Sequence, residues 1–125
     1  MDKETAEALR RDTTIDLTTI GRRSGKRRRI EIWMLKIGDR IFITGTPGRR
    51  DWYANLHANP TCTVHLKQKV KADVRATALV VKDRETRTRV LEHLEATWYR
   101  EQGEGLETLL NEAPMVELKI EGWPA

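Results

Sequence analysis

Alternating hydrophobic and polar residues mark much of the chain as β-strand. In residues 13–20, TTIDLTTI, the side chains of Ile15, Leu17 and Thr19 fall on one face. Because successive side chains of a strand point to opposite faces, such a run predicts a strand with one buried face. The segments that predict strands by alternation or β-rich composition are 13–20, 29–37, 40–44, 61–66, 70–81 and 115–121.

Turn residues separate several of these runs at hairpin distances. Gly38-Asp39 lies between the second and third runs, and Gln68-Lys69 lies between the fourth and fifth. A glycine next to aspartate in such a short connection is typical of a β-hairpin. Because hairpins join antiparallel neighbours, the sheet is predicted to be largely antiparallel.

Two segments have the features of helix N-termini. Asp51 can cap a short helix over residues 52–58, which has to end near Pro60. Asp83 can cap a longer helix that extends to about Tyr99. The apolar residues of that longer segment recur at helical spacing; they are Val90, Leu91, Leu94 and Trp98.

The remaining segments complete an α+β, mainly β, pattern. Residues 1–12 are charged and helix-permissive, which predicts an N-terminal helix or arm, whereas residues 100–114 are predicted to be irregular. The length suits one domain, 1–125, with a single core. The order β-β-β-α-β-β-α-β predicts a closed or split β-barrel of about six mostly antiparallel strands, with two or three helices outside it.

Charge changes this picture at one place, the basic loop that joins the first two predicted strands. Residues 21–29, GRRSGKRRR, hold six cations and no acid, which exceeds the net charge of +4, so the rest of the chain is net negative. A local cluster fits a compact polyanion better than a long duplex, although the two interpretations overlap. The cations are Arg22, Arg23, Lys26, Arg27, Arg28 and Arg29.

Small residues give the basic loop the components of a phosphate site. Gly21 and Gly25 let the backbone turn so that N–H groups converge on an anion, and Ser24 adds a hydroxyl. The alternative is a solvated hairpin tip, and composition alone gives the two about equal weight. The loop is not a P-loop, because it does not match the GxxxxGK[ST] motif and no helix signal follows it.

A second glycine-rich connection, GTPGRRDWY at 45–53, leads into the first short helix. The N–H groups at a helix N-terminus can bind an anion or a carbonyl, and Arg49 and Arg50 lie beside them. Trp52 could stack on a planar ring. An aromatic residue in the first turn of a short helix is, however, more often part of the core.

The remaining side chains narrow the possible chemistry. Cys62 is the single cysteine and is interpreted as an apolar filler, so no disulfide is predicted. The histidines 57, 65 and 93 lack ligand spacing, are expected on the surface or a helix face, and predict no metal site. No signal peptide or membrane span is expected, which favours a cytoplasmic location. No catalytic side chain is assigned, so any enzymatic chemistry is expected to be carried by a cofactor.

Two stretches resemble the signatures of a known family. LTTIGRRSG at 17–25, followed by Arg28 and a hydrophobic strand, resembles the LTTxGRxSGxxR signature of the deazaflavin (F420)-dependent nitroreductase family. TGTPGRRDWYANLHANP at 44–60 resembles its second signature, a Gly/Pro loop that continues into DWYxNLxANP. The resemblance implies a split β-barrel similar to that of pyridoxamine-phosphate oxidases.

The resemblance also implies coenzyme F420 as the cofactor, with its phosphate and glutamyl tail on the basic loop. The residues expected to hold the phosphate and tail are Arg22, Arg23, Ser24, Gly25, Lys26 and Arg28. Those expected to line the ring's side of the groove are Thr44, Thr46 and Trp52. Those expected to face substrate are Trp33, Trp98 and Tyr99.

Together these features predict an oxidoreductase that transfers a hydride from reduced F420 to a quinone or another electron-poor small molecule, with nitro compounds as incidental substrates. An FMN-dependent relative is one alternative, because the same barrel accepts flavins. Others are a non-enzymatic F420 carrier and a nucleic-acid-binding module. No nucleic acid is expected, since the basic loop has no aromatic residue on which a single strand would stack. A homodimer is expected, because barrels of this type usually pair.

Overall fold

The computed structural model describes residues 1–93, 96–103 and 105–124. Within these residues the strands are β1 (Thr14–Ile20), β2 (Arg27–Trp33), β3 (Leu35–Ile37), β4 (Arg40–Thr44), β5 (Thr61–Lys67), β6 (Lys71–Val80) and β7 (Met115–Ile120). They form one antiparallel sheet in the order β2-β1-β5-β6-β7-β4-β3. The predicted class, a mainly β split barrel, is confirmed, with one strand more than expected.

The additional strand arises because the predicted strand 29–37 bends at Met34 and is divided. β2 pairs with β1 and β3 pairs with β4, so the two halves form opposite edges of the sheet. The Met34 N–H donates to the Thr13 carbonyl at 2.7 Å, and Met34 and Leu35 are both buried. A single strand was predicted because buried and exposed side chains were expected to alternate over residues 29–37. The burial of both Met34 and Leu35 interrupts that alternation. Because a single residue joins its two edges, the sheet curls into a barrel.

The helices number five in the described residues, more than the two or three predicted: α1 (Lys3–Arg11), α2 (Asp51–Ala58), α3 (Arg84–Glu92), α4 (Thr97–Arg100) and α5 (Leu106–Glu112). α3 begins as predicted, because the Asp83 carboxylate accepts from the Thr86 N–H at 2.9 Å. α2 begins one residue earlier than predicted, with Asp51 inside the helix and Arg50 at the N-cap without a side-chain cap. No described helix is long and apolar enough to cross a membrane.

The predictions of one helix to Tyr99 and of irregular structure at 100–114 were wrong. α3 ends at Glu92, α4 is a separate turn, and α5 forms where none was expected; the predicted helix-face residue Leu94 lies outside the described residues. α5 has only seven residues, too few for a helical period to be evident. Its stability comes instead from distant residues, notably Arg87 on α3, which donates to the carbonyls of three α5 or adjoining residues.

Two apolar clusters divide the interior. The first fills the barrel and includes Leu9 of α1 and Leu56 of α2, which close it. The second lies between β4 and β7 and the helices α3 to α5, with Phe42 and Leu109 fully buried. α2 packs against β1, and residues of α2 also contact the start of the basic loop. The barrel therefore brings the two sequence signatures together.

His65 on β5 differs from its predicted surface position. It is 8% exposed, and its ring nitrogens lie 2.6 Å from Thr18 Oγ1 and 2.7 Å from Asp73 Oδ1. Thr18 and Asp73 lie on the strands at either side of β5, so the histidine links three neighbouring strands. The contact depends on strand register, which residue spacing along the chain does not contain.

Candidate functional site

An open groove lies between the basic loop, the start of β2 and the first turn of α2. Its volume is about 660 Å³. The loop contributes residues 21–24, β2 contributes residues 27–30, and α2 contributes Asp51, Trp52 and Asn55. Thr19, at the end of β1, completes the lining. The groove is therefore built from both stretches that carry the family resemblance.

Backbone hydrogen bonds hold the basic loop in a tight turn. The Gly21 N–H donates to the Lys26 carbonyl at 2.8 Å, and the Gly25 N–H donates to the Gly21 carbonyl at 2.9 Å. Gly25 has a φ of 69°, in the left-handed region that side chains disfavour. No group in the described part of the chain accepts from the N–H groups of Arg23 and Ser24. Both groups can therefore bind an anion.

Most cations of the basic loop have no acidic partner. Arg29 is the exception, because its Nε lies 2.9 Å from Asp16 Oδ2. The other five are exposed and form no ion pair with any carboxylate of residues 1–93, 96–103 and 105–124; they are Arg22, Arg23, Lys26, Arg27 and Arg28. Asp51 is the only carboxylate among the residues that line the groove. Unpaired like charges at short range favour the binding of an anion.

α2 forms the wall of the groove opposite the loop. Trp52 is 8% exposed, packs in the barrel core and also lines the groove, so it is a core residue, and its stacking on a planar ring stays a prediction. One turn later, Asn55 Oδ1 accepts from the Arg22 N–H at 3.0 Å, and Asn55 Nδ2 donates to Thr19 Oγ1 at 3.1 Å. Sequence reasoning missed Asn55 and Thr19 as site residues. The only signals were that Asn55 lies inside the second signature and that Thr19 belongs to the buried face of β1.

Four of the predicted cofactor-side residues lie outside the lining of the groove. Gly25 and Lys26 are at the tip of the loop. Thr44 is 2% exposed, and its hydroxyl donates to the Pro114 carbonyl at 2.7 Å. Thr46 Oγ1 accepts from Arg50 Nη2 at 2.7 Å, a bond that folds the 45–50 connection on itself. Contact of the two threonines with a ring stays a prediction.

The three residues predicted to face substrate form an aromatic cluster, Trp33, Trp98 and Tyr99. The ring centroids lie 5.7 Å apart for Trp33 and Trp98, 6.3 Å for Trp33 and Tyr99, and 5.2 Å for Trp98 and Tyr99, all edge-to-face. Both tryptophans are exposed, whereas Tyr99 is buried, and burial raises the pKa of its hydroxyl. Arg100 fixes this turn by donating to the Leu91 carbonyl at 2.6 Å. The cluster lies about 10 Å along β2 from the last groove residue of that strand.

The described residues offer little acid-base or nucleophilic chemistry of their own. Burial raises the pKa of the Cys62 thiol to about 11, which keeps it protonated, as expected of an apolar filler. No group of three or more metal-ligating side chains occurs in the part of the chain that the structure describes. The groove therefore offers cations, backbone donors and an aromatic wall, and these bind a ligand rather than transform one.

The barrel and its groove define a class, the small split-barrel proteins with a cationic groove beside the N-terminus of a short helix. The family model described as F420H(2)-dependent quinone reductase matches residues 2–121. The chain belongs to this family and is an oxidoreductase that uses F420. The resemblance, the enzymatic class and the cofactor expected from the two signatures are thereby confirmed.

Solved structures show the same fold at low sequence identity. A Clostridium acetobutylicum protein of the pyridoxinephosphate oxidase family is 15% identical, with a TM-score of 0.69 over 94% of this chain and 82% of its own. A protein named F420 reductase is 16% identical, with a TM-score of 0.66 over 96% and 95%. A FAD-binding protein from Mesorhizobium loti is 11% identical, with a TM-score of 0.69 over 96% and 90%.

The residues of the groove fit the cofactor chemically. The phosphate and glutamyl carboxylates of F420 are anions, and the basic loop presents five cations without acidic partners and two unused N–H groups. FMN carries one phosphate and no glutamyl carboxylates, so the number of cations favours the longer polyanion. Trp52 supplies an apolar surface of the kind that a planar ring contacts.

Proposed function

We propose that the chain catalyses hydride transfer from reduced F420 to a quinone or another electron-poor small molecule, with nitro compounds as incidental substrates. The observation that carries this proposal is the cationic groove, which arginines without acidic partners line together with Trp52. Bound F420 supplies the hydride. The protein then needs to position the reactants and exclude water, which agrees with the absence of an acid-base pair among the residues that line the groove.

The basic loop anchors the cofactor's anionic end. Arg22, Arg23 and Arg28 line the groove, and guanidinium groups bind phosphate and carboxylate oxygens with two parallel donors. The N–H groups of Arg23 and Ser24 add uncharged donors at the turn. Anchoring at this end leaves the ring to lie against Trp52.

The aromatic cluster binds the electron acceptor. Trp33 and Trp98 are 38% and 48% exposed, so their rings are available to a flat substrate. Tyr99 is buried beside both rings and holds them by edge-to-face contacts. An electron-poor quinone ring that stacks here displaces water from the exposed faces of the two tryptophans.

Steady-state oxidation of reduced F420, followed by absorbance with menadione as acceptor, tests the proposal. We expect turnover by the wild type, and Trp33→Ala and Trp98→Ala should each raise the KM for menadione about tenfold, the loss of about 1.4 kcal/mol of ring contact. The affinity for F420 should be unchanged in both variants. Leu79→Ala is the matched control, because Leu79 is 48% exposed on β6 and outside the cluster.

Two results would contradict the proposal. If the protein binds F420 but neither menadione nor a nitro compound oxidises the reduced form, the chain is a cofactor carrier. If the KM for menadione is the same in the Trp33→Ala, Trp98→Ala and Leu79→Ala proteins, the aromatic cluster is not the acceptor site.

A homodimer and a cytoplasmic location stay predictions. β2 is an edge strand of the sheet, and an edge strand can pair with that of another copy, which supports the dimer. A small-molecule substrate follows from the same proposal, since the groove has the volume of a small-ligand site.

A further inference from the structure

We propose that the Thr19 hydroxyl donates a hydrogen bond to an oxygen atom of the ligand in the groove, and that Asn55 sets the direction of this bond. The inference deepens the proposed function and rests on it for the identity of the ligand. Neither residue belongs to the basic loop, and neither carries charge.

The orientation of the Asn55 amide is determined by its partner on the loop. The Arg22 N–H can only donate, so the amide oxygen has to face it, and the Oδ1 to N distance is 3.0 Å. Nδ2 consequently faces Thr19 Oγ1, at 3.1 Å. Because an amide nitrogen can only donate, Thr19 is the acceptor in this second bond. A backbone N–H therefore sets the polarity of the whole chain of hydrogen bonds.

This polarity leaves the hydroxyl proton of Thr19 without an acceptor. A threonine hydroxyl has one proton to donate, and no group of the described residues receives it. Thr19 is 1% exposed and is one of the residues that line the groove, so the proposed acceptor lies on the groove side of the hydroxyl. A buried donor that stays unpaired is unfavourable, and a ligand oxygen at this position removes that penalty.

The position of Thr19 indicates the chemical class of the ligand atom. Thr19 pairs across the sheet with Arg28, and both side chains line the groove. A ligand oxygen can accept hydrogen bonds from both the Thr19 hydroxyl and the Arg28 guanidinium. A ligand N–H group cannot, because it is itself a donor and would face two other donors. The site therefore selects a phosphate or carbonyl oxygen, both of which F420 carries.

Fluorescence titration of F420 against three variants tests the inference. Thr19→Val should weaken binding about five- to tenfold, the effect of one lost hydrogen bond, and Thr19→Ser should bind as the wild type does. Thr18→Val is the matched control. Thr18 is the preceding residue, its hydroxyl contacts His65 and does not line the groove, and its loss should leave the affinity within about twofold.

Asn55→Asp tests the direction of the bond. A carboxylate still accepts from the Arg22 N–H but cannot donate, so Thr19 turns its proton toward residue 55 and away from the groove. The added negative charge also weakens binding of an anion, so the affinity of Asn55→Asp alone does not isolate the hydrogen bond. A double-mutant cycle does, because it compares the effect of Thr19→Val in the wild type with its effect in Asn55→Asp. Adding Thr19→Val to Asn55→Asp should have no further effect on the affinity.

The outcomes separate the inference from the proposed function. Failure of the wild type to bind F420 would refute the proposed function. Equal affinities of the wild type and Thr19→Val would overturn the inference alone, and so would a Thr19→Ser protein as weak as Thr19→Val. The Arg22 amide resonance reports whether each variant keeps the loop in place. If Thr19→Val unfolds, Thr19→Ala is the second variant without a hydroxyl.

Repeating the titration with a deazaflavin that lacks the phosphate and tail distinguishes the two ligand oxygens. If Thr19→Val weakens the binding of both ligands, the hydroxyl contacts the ring carbonyl. If it weakens the binding of F420 alone, the hydroxyl contacts the phosphate.

Discussion

Glu117 shows how one buried charge is stabilised in this barrel. Its side chain is 8% exposed on β7 and accepts from Arg40 Nε at 3.0 Å and Nη2 at 2.9 Å. Lys119 Nζ lies 3.1 Å away. The hydrogen bonds from Arg40 outweigh the effect of burial and hold the pKa of Glu117 below its ordinary value. The buried carboxylate of Glu117 on β7 is therefore paired with cations.

Glu117→Gln should lower the free energy of unfolding by about 1–2 kcal/mol near pH 7, because a neutral amide binds Arg40 less strongly and Arg40 is partly exposed. The folded-state pKa is below the unfolded value of about 4.3, so the contribution of the carboxylate is fully present above that value. It is lost as the pH falls through the folded-state pKa. Urea unfolding of both proteins between about pH 7 and about pH 3 measures this difference, and a difference that stays constant over the range would refute the assignment.

At the scale of elements, Arg87 determines where α5 lies. Its guanidinium is buried and donates to the carbonyls of Leu110 and Ala113 at 2.6 Å, Leu109 at 3.2 Å and Val81 at 3.0 Å. Burial lowers the pKa of Arg87, but a guanidinium stays charged. The C-terminal end of a helix concentrates unpaired carbonyls, which are favourable partners for a cation. One side chain of α3 thus satisfies the end of α5 and the end of β6.

Arg87→Met should destabilise the protein by about 3 kcal/mol or more, because several buried carbonyls lose their donor. Arg87→Lys should be intermediate, since an ammonium cannot reach all four carbonyls. Arg89→Met is the control, because Arg89 is exposed on the same helix. Urea unfolding gives the ranking, and amide exchange should be fastest in α5 of Arg87→Met. Equal stabilities of Arg87→Met and Arg89→Met would show that Arg87 does not hold this end of α5.

The sequence predicted strands and helices correctly where the local pattern of residues determines the structure. β1 was predicted because Ile15, Leu17 and Thr19 alternate, and all three are at most 1% exposed. The bend at Met34 was missed because it depends on the Thr13 carbonyl, a distant partner, and α5 was missed for the same reason. In the site, the basic loop was predicted from its charge and from the first signature, whereas Trp33, Trp98 and Tyr99 were expected to face substrate only from the family resemblance, which did not predict that they form one cluster. The bond between Thr19 and Asn55, which are 36 positions apart, has no local signal.

At the scale of the whole molecule, topology places two distant signatures at one groove. The basic loop follows β1, and α2 lies between β4 and β5, yet α2 packs against β1 and contacts the loop through Asn55. The cations of that loop exceed the net charge of +4, so the positive potential is concentrated at the groove. Binding of a polyanionic cofactor is the central claim that follows from this arrangement.

Equilibrium titration of F420 against the wild type and the Arg22→Ala, Arg23→Ala, Arg28→Ala triple variant tests that claim most directly. The control is the triple variant Lys3→Ala, Lys69→Ala, Lys71→Ala, which removes three exposed cations that do not line the groove. We expect the wild type to bind F420 more tightly than FMN or a short oligonucleotide. The arginine variant should lose about 100-fold or more in affinity for F420, and the lysine variant should bind F420 as the wild type does. F420 binding no tighter than the oligonucleotide, with neither changed by the arginine substitutions, would contradict it.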